Sequence, residues 1–363
     1  MIKSAKKKVS KVEVFFDPAQ LKHKPLYEWA FGKRLIHPES SNRAERIVSE
    51  LRKNSQTFTF KKPTTSPLRH ILKIHHPKLV AVLRESQRLP KGYTFHPSVF
   101  PRRDQVYADP RELNQAGFYC FDSGTPLTAY TWGAAVGSAS CALAAAQSVG
   151  SGKSNIAYSL CRPPGHHAQF NLFGGYSYFN NAAIAATYLR AKGRVAIVDI
   201  DFHHGNGTQS IFYKDNQVYV ASIHGDPKEF YPFFSGFKTE IGEGPGKGFN
   251  LNVPLPRGCD IQEFVKKLKG ITAAVKRFDP KFLIISAGFD TFVKDPIGDF
   301  TLETDDFALV AEELAKLSLP AVILQEGGYA TRWLGKNVAT FLQAYVDSAA
   351  KYEIKETSKR LIK

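Results

Sequence analysis

Two aspartates and two histidines crowd the end of one apolar run, Arg194-Val-Ala-Ile-Val-Asp199-Ile-Asp201-Phe-His203-His204. In an extended strand, residues two apart share a face, so Asp199, Asp201 and His203 point the same way. Two carboxylates and an imidazole buried together need a counter-charge. A divalent cation supplies it. Asp and His are ordinary zinc ligands, and a catalytic zinc takes three protein ligands and keeps a place for water. The third ligand has to come from another strand end. Asp290 stands just past the apolar run Phe282–Ser286. A lone Asp there would more often cap a helix, but its match in type and position to the first cluster makes Asp201, His203 and Asp290 the expected site of one Zn2+.

A second strand leads into Cys161-Arg162-Pro163-Pro164-Gly165-His166-His167. Tandem histidines in a loop stiffened by Pro and Gly pack poorly in a core. Hydrolysis at a metal needs a base for the water and an acid for the leaving amine, and two adjacent imidazoles can divide those tasks. Gly327-Gly328-Tyr329 follows another apolar run. The glycines permit close backbone approach, and the tyrosine can offer its hydroxyl to a developing oxyanion; a purely structural turn is the competing reading.

The elements that must hold these residues alternate along the chain. Val12–Phe16, Asn155–Leu160, Arg194–Ile200, Val218–Ile223, Phe282–Ser286 and Ala321–Leu324 read as buried strands. Helices are expected over 134–148, 181–191, 261–277, 305–317 and 331–349. The order predicts an α/β fold, a single domain over 12–350 whose mainly parallel sheet carries helices on both faces. Residues 1–11 and 351–363 read as basic tails. In such a sheet ligands sit beyond the carboxyl ends of the strands, where all the residues above fall. Two long irregular stretches, 89–127 and 225–248, are expected to serve the site.

Composition excludes several classes. The 363 residues are 43% hydrophobic, enough for a core and too many for a disordered chain. The four cysteines form no CxxC, so neither a disulfide scaffold nor a cysteine-rich zinc module is expected, and reduced thiols point to the cytoplasm. No membrane partner or secretory signal is expected. The net charge of +16 is local: five lysines lie in residues 1–11, and ten basic residues with only Glu85 lie in 61–103. No nucleic-acid recognition motif accompanies them, so they read as solvated basic faces and nucleic acid is not an expected partner.

The motifs as a set resemble the zinc-dependent deacetylases of the arginase–deacetylase superfamily, chiefly bacterial acetylpolyamine amidohydrolases and class II histone deacetylases. The resemblance covers about residues 12–345 and rests on HPESSNRAERI (37–47), RPPGHHA (162–168), GGYSYFNNAAIAA (174–186), DIDFHHGNGTQ (199–209), HGDPKEFYPFFSG (224–236), SAGFDTFVKDPIG (286–298) and EGGY (326–329). It implies the arginase–deacetylase fold, with Asp201, His203 and Asp290 on zinc and Asp199 orienting His166. It further implies that Tyr329 assists at the acetyl carbonyl, that the Gly175 carbonyl receives the substrate N–H, and that Tyr176 and Tyr231 wall the acyl tunnel. Asp199, Asp201, His203 and Ser222 match a structural potassium site. Asn206 stands where class I enzymes have a carboxylate facing the second histidine. An amide stabilises an imidazolium less, so His167 is expected to be the base and His166 to stay charged.

The expected reaction removes an acetyl group from an N-acetylated amine, a polyamine or a protein lysine, and releases acetate. Alternatives are a protein lysine deacetylase without polyamine activity and a manganese ureohydrolase. The last would need a DxHxD arrangement where this chain has His203-His204-Gly205. Ile297 stands where polyamine-selective eukaryotic relatives have an acid, which leaves Asp104, Asp109, Glu112 and Asp299 as substitute anchors. The resemblance to amidohydrolases also implies a homodimer, formed through residues 89–127.

Overall fold

The computed structural model describes residues 11–101 and 112–361. The basic N-terminal segment up to residue 10, and Asp104, Tyr107 and Asp109, lie outside the described residues.

Among the described residues an eight-stranded sheet forms the centre. Its strands are β1 (Val12–Phe15), β4 (Phe58–Lys61), β5 (Ile156–Ser159), β6 (Val195–Asp199), β7 (Val218–Gly225), β8 (Asn250–Leu255), β9 (Phe282–Ala287) and β10 (Ala321–Gln325). They run in the order β4-β1-β5-β10-β9-β6-β7-β8, and every pairing is parallel. A separate antiparallel hairpin joins β2 (Tyr27–Ala30) and β3 (Lys33–Ile36).

Each inner strand is apolar on both faces because both faces are covered. Ala196 and Val198 of β6 pack in one core with α1 (Ser41–Arg52), α7 (Ile261–Phe278), α8 (Asp306–Ala315) and α9 (Thr331–Leu361). Val195 and Ile197 face the other core, under α2 (Leu68–Ile74), α3 (Pro77–Glu85), α4 (Thr131–Gly150) and α5 (Asn181–Arg190). Helix α4 is largely built from Ala, Gly and Ser, so it lies buried against the sheet instead of presenting a polar face. Helix α7 starts where the Asp260 carboxylate accepts the Glu263 N–H at 2.9 Å.

All six expected strands and five expected helices are present. Helix α9 passes residue 349 and runs into the segment expected to be a tail. The edge strands β4 and β8, the hairpin, helices α1 to α3 and the short α6 (Asn206–Phe212) were not anticipated. Edge strands have one partner and tolerate polar residues, as Phe58-Thr-Phe-Lys61 and Asn250-Leu-Asn-Val-Pro-Leu255 do.

The register places Ser159, Leu324, Ser286, Asp199 and Ser222 side by side across five neighbouring strands. The chain leaves the sheet just beyond this line, and the chemical residues follow within a few positions.

Candidate active site and metal centre

Asp201, His203 and Asp290 bring three donor atoms within 4.8 Å of one another. His203 Nδ1 lies 3.0 Å from Asp290 Oδ2 and 3.4 Å from Asp201 Oδ1. The second oxygen of Asp290 accepts the Phe202 N–H at 2.9 Å, and Asp201 Oδ2 accepts the Gly327 N–H at 2.7 Å. Backbone donors thus aim both carboxylates inward. A Cβ on Gly327 would sit 2.5 Å from Asp290 Oδ2 and 2.6 Å from Asp201 Oδ2, so glycine alone fits where these oxygens converge. Burial disfavours a charged His203, but hydrogen bonds to Asp201 and Asp290 outweigh it and raise its pKa to about 9. A cation there would do the same service as that proton. The donor set, two carboxylates and one imidazole, fits a divalent metal with room for substrate oxygen.

The tandem histidines stand beside it, with ring centres 4.0 Å apart. Glu326, buried, holds their loop by accepting the Gly165 and His166 N–H groups at 2.7 and 3.2 Å. His166 Nδ1 donates to Asp199 Oδ2 at 3.0 Å. Burial opposes its charge, yet the carboxylates of Asp201 and Asp199 raise its pKa to about 10. His167 Nδ1 meets the amide oxygen of Asn206 at 2.7 Å. Burial and then the charge of His166 push His167 well below its usual value. With Nδ1–H donated to Asn206, Nε2 carries the free lone pair. Asn206 opens α6, and the Gly207 and Thr208 N–H groups return to the His166 carbonyl at 3.0 and 3.1 Å.

Tyr329 sits between Tyr176, ring centres 5.8 Å apart, and the Arg43 guanidinium, 4.7 Å from its ring centre. Burial raises its pKa well above the ordinary value, so the hydroxyl keeps its proton as a donor. Arg43 is itself buried. Its Nε donates to the Gly328 carbonyl at 2.6 Å and its Nη1 to Glu39 at 2.9 Å. The same Glu39 oxygen lies 2.9 Å from Nε of the buried Arg162. One carboxylate therefore ties α1, the histidine loop and the tyrosine turn together.

A cavity of about 360 Å3 is lined by His167, His203, Gly175, Tyr176, Tyr231, Ile297 and Tyr329. The four expected substrate-contacting residues share it with His167, His203 and Tyr329. Gly175 has φ +56°, and a Cβ there would come within 2.2 Å of the His167 ring. Tyr176 is left-handed too, at φ 61°, a strained setting for a bulky residue. Ser222 adjoins Asp199 in register, and its hydroxyl is 2.7 Å from His224 Nδ1.

Sequence reasoning missed three acids on the same cavity, Glu28, Asp122 and Glu229, the last of which is paired with Arg257. The Tyr231 hydroxyl and the Gly175 N–H donate to Asp122 Oδ2 at 2.7 and 2.6 Å. The Tyr176 hydroxyl donates to Glu28 at 2.9 Å. Burial raises the Glu28 pKa to about 7. Asp122 falls within the 89–127 stretch expected to serve the site; Glu28 comes from an unanticipated hairpin. The substitute anchors fare differently. Asp299 is bound by Arg257, and neither it nor the exposed Glu112 lines the cavity.

A water can be deprotonated and an amide carbonyl engaged within this one cavity, which is the equipment of a hydrolase. Residues 37–345 match the histone deacetylase domain, and the chain belongs to that family. It is 42% identical over 258 residues to acetylpolyamine amidohydrolase 2 of Pseudomonas aeruginosa, covering 70% of this chain and 75% of that one. It is 38% identical over 338 residues to the acetylpolyamine amidohydrolase of Burkholderia pseudomallei, covering 91% and 98%. The crystal structure of an acetylpolyamine aminohydrolase from Burkholderia pseudomallei superposes with a TM-score of 0.88 at 36% identity, over 93% of this chain and 99% of that one. The HDA15 HD domain gives 0.78 at 27% identity, over 93% and 90%. The protein is accordingly a hydrolytic deacetylase of acetylated amines. Among the described residues no helix is long and apolar enough to cross a membrane.

Proposed function

We propose that the protein is a zinc-dependent deacetylase whose substrate is a small N-acetylated polyamine. The observation that carries the substrate choice is the set of three acids, Glu28, Asp122 and Glu229, on an otherwise largely aromatic and aliphatic cavity. Methylenes suit the rings of Tyr176 and Tyr231, and a distal ammonium suits the acids. The relatives named above support the same reading.

In this reading Asp201, His203 and Asp290 hold zinc, and zinc when bound supplies a Lewis acid and a water of lowered pKa. His167 Nε2 takes the proton of the attacking water. The Tyr329 hydroxyl donates to the carbonyl oxygen as it gains charge. The Gly175 carbonyl accepts the substrate N–H. His166, oriented by Asp199, adds positive charge beside the reacting carbon. His167 then returns its proton to the leaving amine, and acetate and a free amine result. A structural potassium ion at Asp199, Asp201, His203 and Ser222 belongs to the same reading, as does a cytoplasmic setting, supported by four buried free thiols.

The catalytic unit is proposed to be residues 12–350, working as a homodimer. Exposed apolar side chains support the dimer: Phe31 (87% exposed) and Ile36 (89%) on the hairpin, with Tyr93, Val99 and Phe100 nearby in sequence to the 102–111 segment. An acetyl-lysine protein is the second reading, favoured by the family match to histone deacetylases.

Acetylputrescine, acetylspermidine and an acetyl-lysine peptide compared side by side, with bound zinc measured, test the proposal. The acetylpolyamines should show the higher kcat/KM. Preference for the peptide would replace the first reading by the second.

A further inference from the structure

The chain turns sharply after Asp290. The Asp295 N–H donates to the Phe292 carbonyl at 2.9 Å, and Gly298 passes so close to Asp290 that a Cβ would overlap its carbonyl oxygen at 1.7 Å. The Asp295 carboxylate is buried (8% exposed) and is not among the cavity-lining residues. Its Oδ2 accepts two backbone N–H groups, those of Tyr329 at 2.6 Å and Ala330 at 3.0 Å. Its Oδ1 accepts the Ile297 N–H at 3.2 Å. The two N–H groups bound by Oδ2 immediately precede α9, where a helix has donors without intrahelical partners.

The Tyr329 ring lies between Arg43 and Tyr176, the residue's carbonyl accepts the Thr331 N–H at 2.7 Å, and the turn before it is fixed at both glycines. Gly327 is held through its N–H by Asp201, and Gly328 through its carbonyl by Arg43. Gly328 has φ +113°, a conformation glycine adopts readily, so the backbone bends sharply just before the tyrosine. Asp295 supplies the grip on the tyrosine's own N–H, and a carboxylate accepting two backbone donors is a strong, directional one.

We propose that Asp295 is a positioning residue that aims the Tyr329 hydroxyl at the reacting carbonyl. It touches neither substrate nor metal. The proposal rests on the reading of Tyr329 as the donor to the developing oxyanion. A displacement of about 1 Å in such a group costs up to about 10²-fold in rate, so the loss should appear in kcat.

The test is a cycle of four proteins: wild type, Asp295→Asn, Tyr329→Phe and the double variant. Asp295→Asn keeps the shape and one acceptor oxygen, and bound metal and melting temperature are recorded for each. The expected result is a fall in kcat of about 10-fold in Asp295→Asn with KM within about 3-fold, wild-type metal content, and no further fall when Asp295→Asn is added to Tyr329→Phe. Equal factors in both backgrounds would overturn the proposal, as would unchanged kcat in Asp295→Asn or a loss of bound metal. Near-normal kcat in Tyr329→Phe alone would overturn the underlying reading instead, so the two failures are told apart.

Discussion

Asn206 offers a direct test of the base. Replacing it by Asp changes one group and leaves the shape alone, putting a carboxylate oxygen 2.7 Å from His167 Nδ1. The neighbouring His166 shows what that does, since Asp199 at 3.0 Å helps raise its pKa to about 10. At about 4 Å between charge centres and an effective dielectric of about 20, the attraction is about 4 kcal/mol. Burying the new carboxylate takes back part of it, leaving about 1–3 kcal/mol, or about 1–2 pH units. The sign follows from the base's role. His167 works as neutral imidazole, so a stabilised imidazolium moves the acid limb of kcat/KM to higher pH. Asn206→Asp should therefore be slow at pH 6 and recover as pH rises. The assay is kcat/KM on one acetylated diamine from pH 5 to 10. An acid limb in the same place as wild type, with the protein folded and metal bound, would mean that His167 is not the base.

Asp290→Ala leaves two donors, too few to hold a catalytic zinc; metal content by mass spectrometry and activity should fall together. Glu28→Gln should raise KM about 10-fold (about 1.4 kcal/mol) for a substrate with a distal ammonium, and leave a neutral N-alkylacetamide unaffected. Because the Glu28 pKa is raised to about 7, the group is neutral below that pH and charged above it. KM for the cationic substrate should therefore fall as pH rises through about 7, and Glu28→Gln should abolish that dependence. Sedimentation of the wild type should give a dimer, and Phe31→Ser with Ile36→Ser should shift it toward monomer.

The inner strands were legible because β-branched apolar runs such as Val195-Ala-Ile-Val198 suit only a doubly covered sheet. The cluster of Asp201, His203 and Asp290 was legible because acids and a histidine just past the ends of buried strands have no cheap alternative to a shared cation. The edges were not, since β4 and β8 are half-polar. The triad of Arg43, Glu39 and Arg162 was also hidden. Charged residues are rarely fully buried; Glu39 and Arg43 are four residues apart, but only the tertiary structure brings Arg162 to the same carboxylate. Glu28 was missed for a similar reason: its hairpin, Tyr27-Glu-Trp-Ala and Lys33-Arg-Leu-Ile, mixes charged and apolar residues without a clean alternation.

The adjacency of His166 and His167 also bears on timing. Two rings 4.0 Å apart share one electrostatic neighbourhood, and the charge on the first weakens the second as a base. In the proposed reaction that handicap reverses once His167 has captured a proton. A doubly charged pair is a loaded spring, and the repulsion that made His167 a reluctant acceptor makes it an eager donor. The pair behaves as a store with stable room for a single proton, so each proton drawn from water is passed on quickly. The amine can then leave as a neutral molecule and not as an amide anion.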